Sequence, residues 1–196
     1  MTDAATLRDE VRQAYSSIAE HPQDEAPFPT GRALAENLGY PKDLLDTLPI
    51  TSVEAFCGVS NVSLFAEIPE GATVLDLGCG AGMDTLIAAR RTGEQGKVIA
   101  IDFSEAMLAR ARSALSEAKV TNVETHLAVA EDLPMEDGSV DVAIVNGIFN
   151  LNPCRERIFY ELARVLRPGG MIFAAELVLT TPLTPEEGAS STNWFS

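Results

Sequence analysis

The stretch Val74-Leu75-Asp76-Leu77-Gly78-Cys79-Gly80-Ala81-Gly82 decides the architecture. Residues 73–77 are short, apolar and bounded by glycine, the composition of a strand buried on both faces. The three glycines after them let the chain turn sharply and leave main-chain N–H groups open to a ligand at a helix start. A helix over 84–91 is expected next. The unit then repeats, with a strand over 97–101 running into Asp102 and a helix to 119 capped by Ser104, with Glu105 in its first turn. Further strands are expected over 123–129 and 140–145. Asn152 and Pro153 read as cap and first residue of a helix to 166, which Arg167-Pro168-Gly169-Gly170 stops before a strand over 171–178. Strands alternating with helices imply a mostly parallel sheet with right-handed crossovers and helices on both faces. Ligands then bind at the carboxyl ends of the strands.

Upstream, Leu7, Val11, Tyr15 and Ile18 recur at helical spacing over 6–19, which serves either as a cap on the core or as a lid over a ligand. Three prolines and a glycine make 21–32 a loop, and 33–38 and 42–48 read as short helices. Such an irregular segment cannot bury a core alone and must pack on the strands and helices after residue 70. The expected division is a helical lid or cap segment over 1–70, a core over 71–180 and an irregular tail over 181–196.

Acidic residues number 29 against 14 basic ones, giving a net charge of −15. That field repels nucleic acid and anionic membranes, so small neutral or cationic substrates are expected. Cys57, Cys79 and Cys154 form neither a disulfide framework nor a zinc pattern, which points to a reducing cytoplasm. The N-terminal residues are charged where a signal peptide is apolar, and no run approaches the roughly 20 apolar residues of a membrane span.

Candidate ligand residues gather at the strand ends. A dinucleotide fingerprint needs glycine where Met83 stands, which weighs against a nicotinamide cofactor. Asp102 is placed to accept hydrogen bonds from ribose hydroxyls, and Phe103 to cover an adenine face. No metal cluster, Ser/His/Asp set or paired-carboxylate site stands out, and His21 and His126 read as structural. Methyl transfer from a sulfonium fits that silence, because positioning does most of the work.

With Asp76-x-Gly78-x-Gly80-x-Gly82, Asp102 and the VLRPGG turn at 165–170, the chain resembles class I methyltransferases that use S-adenosyl-L-methionine and release S-adenosyl-L-homocysteine. More narrowly it resembles the arsenite methyltransferases and their bacterial relatives, in SVEAFCGVSN (52–61), VLDLGCGAGMD (74–84), VNGIFNLNP (145–153) and ELARVLRPGGMIFAAELVL (161–179). The resemblance implies a Rossmann-like α/β fold. It implies that Asp76, Gly78, Cys79, Gly80 and Gly82 border the methionine moiety and that Asp102 and Phe103 hold the ribose and adenine. Ala130 and Glu131 would lie beside the adenine, Asn146 near the sulfonium, and Tyr15 in the lid. Asn146 and Cys57 are the catalytic candidates, and Val129 replaces an Asp that many relatives use for adenine.

As(III) is soft and needs thiolates. Gly147 stands where the family has its second cysteine, and Cys57 lies near, not at, the position of the first, which aligns with Val59. Cys79 reads as a packed residue, and Cys154 as a thiol at a helix start. A small-molecule methyltransferase is therefore expected, its acceptor open: arsenite is the leading candidate, but these cysteines do not make an arsenic site, and little arsenite methylation by this chain alone is expected. The alternative is a non-catalytic protein that binds the cofactor or a partner. The family adds two strands beyond the fifth, and 179–196 carries neither strand nor helix signals. The fold is thus expected to lack them and to expose an apolar edge at 171–179, covered by a second copy or by the N-terminal segment.

Overall fold

The computed structural model of the chain describes residues 4–24, 26 and 28–181. Five strands form one sheet: β1 (Thr73–Leu77), β2 (Lys97–Asp102), β3 (Val123–Leu127), β4 (Val140–Asn146) and β5 (Leu166–Ala175). Their order is β3-β2-β1-β4-β5, and every pairing is parallel. The expected Rossmann-like α/β class is the one found. The chain order reverses between β1 and β4, so the cleft above their carboxyl ends is where such sheets bind ligands.

Side chains alternate across the central strands and so require cover on both faces. Leu75, Leu77, Ile101 and Val145 pack on α8 (Arg155–Val165) through Ile158, Leu162 and Val165. Val74, Val98, Val142 and Ile144 face Ala88 and Ala89 of α6 (Met83–Thr92), with Val62 of α5 (Val62–Phe65) beside them. The α7 helix (Glu105–Glu117) starts where Ser104 Oγ accepts the Met107 N–H at 3.3 Å, as expected of its cap. Its buried Met107, Leu108, Ala111, Ala114 and Leu115 make the stripe that a helix laid on a sheet needs.

The described helices that precede β1 pack against those that follow it. The long α1 (Ala4–Glu20) is followed by α2 (Gly31–Asn37), α3 (Lys42–Leu45) and α4 (Ile50–Val53), whose Ala35, Leu45 and Val53 join Met83, Leu86 and Leu115 in one cluster. The α4 and α5 turns are not anticipated in the sequence, and the helix expected over 42–48 is limited to Lys42–Leu45.

Several boundaries differ from expectation. β3 ends at Leu127 rather than 129. The α8 helix begins at Arg155, not at Pro153: Asn152 Oδ1 accepts the Cys154 N–H at 2.7 Å, a side-chain turn placed before the helix instead of a cap on it. Residues 167–170 do not separate helix from strand but lie inside β5. Val140 pairs with Leu166 and Val142 with Met171, so the Pro-Gly-Gly segment is an irregularity in the ladder, held by Arg167 Nε on Asp141 Oδ1 at 2.7 Å. Strand β5 ends at Ala175, short of 178.

β5 is an outer strand of the described sheet, with Met171 and Ile172 about two-fifths exposed. Phe65 of α5 meets Phe173 with ring centroids 6.5 Å apart, which covers a face of the strand and not its hydrogen-bonding edge. The expected tail beyond Thr181 lies outside the described residues. Among those residues no helix is long and apolar enough to cross a membrane.

Candidate active site

At the carboxyl end of β1 the chain folds back on β2: the N–H groups of Gly78 and Cys79 both donate to the Ile101 carbonyl, at 2.8 and 2.9 Å. Gly78 has φ +79°, and a Cβ there would stand 2.4 Å from Ile148 Cγ2. Glycine is therefore required twice, by backbone conformation and by the side chain that crosses it. The next N–H, of Gly80, donates to Asp102 Oδ2 at 2.9 Å, while Asp102 Oδ1 accepts from Ser104 N at 2.8 Å. One carboxylate thus fixes the loop after β1 to the loop after β2, and both border the same pocket. Burial pushes the Asp102 carboxyl up to about 6, against the pull of these N–H donors.

Two more carboxylates lie beneath. Asp76 accepts from Thr85 Oγ1 at 2.5 Å and is 3% exposed. Burial first, and then the neighbouring Asp84, push it up to about 8. Asp84 is raised by burial, which the donors Ser63, Tyr40 and Asn146 offset. With Glu131, four lining carboxylates stand against the single guanidinium of Arg8. Such a pocket favours a cation and disfavours an anionic ligand.

Helix α1 roofs the pocket with Arg8, Val11 and Tyr15. Arg8 pairs with Glu131 in the loop between β3 and β4, and Ser16 Oγ lies 2.8 Å from Ser104 Oγ. At its other end α1 is tied down by Arg110 of α7, whose guanidinium donates to Ala19 O at 2.7 Å and Thr51 O at 3.0 Å and pairs with Glu54. Tyr15 packs tilted against Phe28 with ring centroids 5.5 Å apart, and burial raises the pKa of its hydroxyl.

The pocket brings together Tyr15, Cys57, Asp76, Gly78, Cys79, Gly80, Asp102, Phe103, Ala130, Glu131 and Asn146, all anticipated in sequence. Gly82 stands apart: it precedes α6 with φ +84°, its vacant Cβ position 3.1 Å from Ala111 Cβ, so it serves the packing of α6 on α7 behind the pocket. Asn146 lines the pocket, but its amide is engaged by protein. Its Oδ1 accepts from Val59 N and Ser60 N, and its Nδ2 donates to Ser60 O and Asp84 Oδ2. Val129 lines the wall beside Ala130 and Glu131.

Cys57 is partly buried, and desolvation, with Asp102 nearby, pushes its thiol up to about 12; burial raises Cys79 as well. Both lining thiols are therefore neutral at physiological pH. Cys154 is exposed and does not line the pocket, although Asn152 and Pro153 do. No group of three metal-ligating side chains occurs among the described residues. Sequence reasoning does not single out Arg8 or Asp84. An Asp in the first turn of a helix reads as a partner of the helix dipole, and an Arg on an amphipathic helix reads as solvated.

Comparison with known proteins agrees with this geometry. A protein-family model described as a methyltransferase domain matches residues 68–195. An arsenite methyltransferase of Halobacterium salinarum is 34% identical over 92% of this chain and 49% of its own length. A demethylmenaquinone methyltransferase of Shouchella clausii is 40% identical over 56% of this chain and 47% of its own. The chain spans about half the length of these curated relatives. Among solved structures, an arsenic(III) S-adenosylmethionine methyltransferase from Chlamydomonas reinhardtii superposes with a TM-score of 0.55 at 32% identity, over 74% of this chain and 48% of that one. Fold, glycine loop and family match converge: the chain belongs to the methyltransferase domain family, among the class I S-adenosylmethionine-dependent methyltransferases.

Proposed function

We propose that this chain binds S-adenosylmethionine in the pocket above β1 and β4 and methylates a small acceptor there. The observation that carries the reading is the Asp102 carboxylate, buried, pinned by two N–H groups and bordering a pocket whose ionisable lining is mostly acidic. The residues present fit the cofactor. Asp102 retains lone pairs for ribose hydroxyls, Phe103 and Ala130 offer apolar contact for a base, and the carboxylates complement a ligand with ammonium and sulfonium charges. When bound, S-adenosylmethionine supplies an electrophilic methyl group.

The chain's own part is to hold and to exclude. Asp102 and Glu131 are assigned to the nucleoside end, and Asp76 with the Gly78–Gly80 loop to the amino-acid end. The roof of Tyr15 and Val11 keeps water out, and the walls at 56–58 and 147–153 take the acceptor. Phe56, Ile148, Leu151 and Pro153 make that side apolar, which suits an uncharged acceptor. Arsenite is the acceptor we favour, on the likeness to arsenic methyltransferases. Cys57 and Cys79 are neutral thiols, two where As(III) takes about three soft ligands. Arsenic therefore enters already carried by small thiols from solution, with Cys57 offering at most one exchange partner.

Calorimetry with S-adenosylmethionine, its demethylated product and NAD tests the cofactor. Methylarsenical production in excess glutathione tests the acceptor. Binding without turnover on thiol, arsenite or hydroxyl acceptors would favour a non-catalytic binding protein instead.

A further inference from the structure

Asp84 and Asn146 line the pocket and also form the centre of a hydrogen-bonded hub that reaches behind its wall. Asp84, in the first turn of α6, is 7% exposed. Its Oδ1 accepts from the Tyr40 hydroxyl at 2.5 Å and from Ser63 Oγ, and its Oδ2 accepts from Asn146 Nδ2 at 2.9 Å. Tyr40 lies between α2 and α3, Ser63 in α5 and Asn146 at the end of β4, so one carboxylate joins three separate elements to α6. Asn146 passes the constraint on: its Oδ1 accepts from Val59 N at 2.9 Å and Ser60 N at 3.1 Å, and its Nδ2 also donates to Ser60 O at 2.8 Å. The fit is tight, since a Cβ on Gly58 would stand 2.5 Å from Asn146 Nδ2.

Asp84 and the backbone of the 59–60 loop together set the direction of the amide. A carboxylate accepts and cannot donate, so it requires the NH2 group of Asn146 on its side and leaves the carbonyl oxygen facing Val59 and Ser60. Without that choice, a flipped amide would set NH2 against two N–H donors and leave them unsatisfied in a half-buried wall. We propose that Asp84, acting through Asn146, is the positioning residue that holds the 57–60 loop as the acceptor-side wall of the pocket. The assignment of this wall to the acceptor rests on the proposed methyl transfer; the loop-holding role does not.

Amide exchange at Val59 and Ser60, read by NMR, tests the role alongside S-adenosylmethionine affinity by calorimetry. Asp84→Asn and Asn146→Ala should each accelerate exchange about tenfold or more, because local opening governs it. The double variant should exchange no faster than either single one, since both act through one linkage. S-adenosylmethionine affinity is read in parallel because Asp84 and Asn146 also line the pocket; exchange at Val59 and Ser60 in the ligand-free protein is the readout that carries the positioning role. The exchanged pair Asp84→Asn/Asn146→Asp restores a donor facing an acceptor between the two side chains but sets a carboxylate oxygen against the Ser60 carbonyl, so it should recover the slow exchange only in part, which a merely space-filling role would not. Should Asp84→Asn fail to fold, Ser63→Ala removes one donor to Asp84 while keeping the charge and should accelerate exchange about threefold. Wild-type exchange rates in Asp84→Asn or Ser63→Ala, or additive accelerations in the double variant, would each overturn the proposal. Absence of cofactor binding in the wild-type protein would instead remove the proposed function, and with it the assignment of the wall to an acceptor.

Discussion

The Arg8 guanidinium pairs with the Glu131 carboxylate across the mouth of the pocket, joining the first helix to the loop after β3. With Arg110 holding the other end of α1 at Ala19, the roof is pinned at both ends. The Arg8 side chain is 37% exposed, so the pair contributes about 0.5 kcal/mol or less to stability. Its effect should show in kinetics. Arg8→Met is expected to leave the melting temperature within a few degrees while speeding S-adenosylmethionine dissociation roughly threefold to tenfold. Raising salt should speed dissociation in the wild type and not in the variant. Equal off-rates would remove the pair from any role in cofactor retention.

Gly78→Ala should be among the most damaging single-methyl changes in the chain. The left-handed backbone costs about 1–2 kcal/mol for a side chain, and the new Cβ falls 2.4 Å from Ile148 Cγ2. Pairing it with Ile148→Ala removes the clash but not the backbone strain, so stability should recover in part and cofactor affinity less. Full recovery of both, measured by thermal unfolding and calorimetry, would show that φ is unimportant there.

The pH dependence has a definite sign. Asp76 and Asp102 are held up to about 8 and about 6, against an ordinary 3.8, so between those limits the folded protein binds more protons than the unfolded chain. Ligand-free stability should therefore fall as pH rises from about 4 towards 8. A cationic ligand favours the ionised carboxylates, so S-adenosylmethionine affinity should rise over pH 6–8 with proton release, and the less positively charged demethylated product should show a weaker trend. Calorimetry in buffers of different ionisation heat measures the protons directly. Proton uptake, or identical trends for both ligands, would contradict the assigned electrostatics.

Arsenite methylation, if the acceptor reading holds, should require excess small thiol. It should fall about tenfold in Cys57→Ser, the loss of one soft ligand among three, and stay unchanged in Cys154→Ser, whose thiol is exposed outside the pocket. Methylarsenical yield measures this. Dependence on Cys154, or thiol-independent turnover, would refute thiol-carried delivery.

Much of this is legible in sequence because it is local. The glycine loop and Asp102 each come after a strand whose apolar run is unmistakable, and the β-α alternation places both at the same sheet edge. The misreadings are local too. Sequence alone assigns every glycine of the loop to the ligand, whereas Gly82 answers to Ala111, and Pro168-Gly169-Gly170 reads as a turn although β4 pairs on either side of it. The hub could not be read. Tyr40 lies 44 residues from Asp84, and Asn146 lies 62 away, so no window of sequence contains the contact. The Arg8–Glu131 pair, 123 residues apart, is hidden in the same way.

The central claim is that this pocket holds S-adenosylmethionine through Asp102. Isothermal titration of wild-type protein and Asp102→Ala with S-adenosylmethionine tests it most directly. The expected result is one site per chain in the wild type, weakened in the variant by roughly 1–3 kcal/mol, or about fivefold to 150-fold, from the loss of charge-assisted hydrogen bonds, with no heat from NAD. No binding of S-adenosylmethionine at millimolar concentration, or equal affinity in Asp102→Ala, would contradict it.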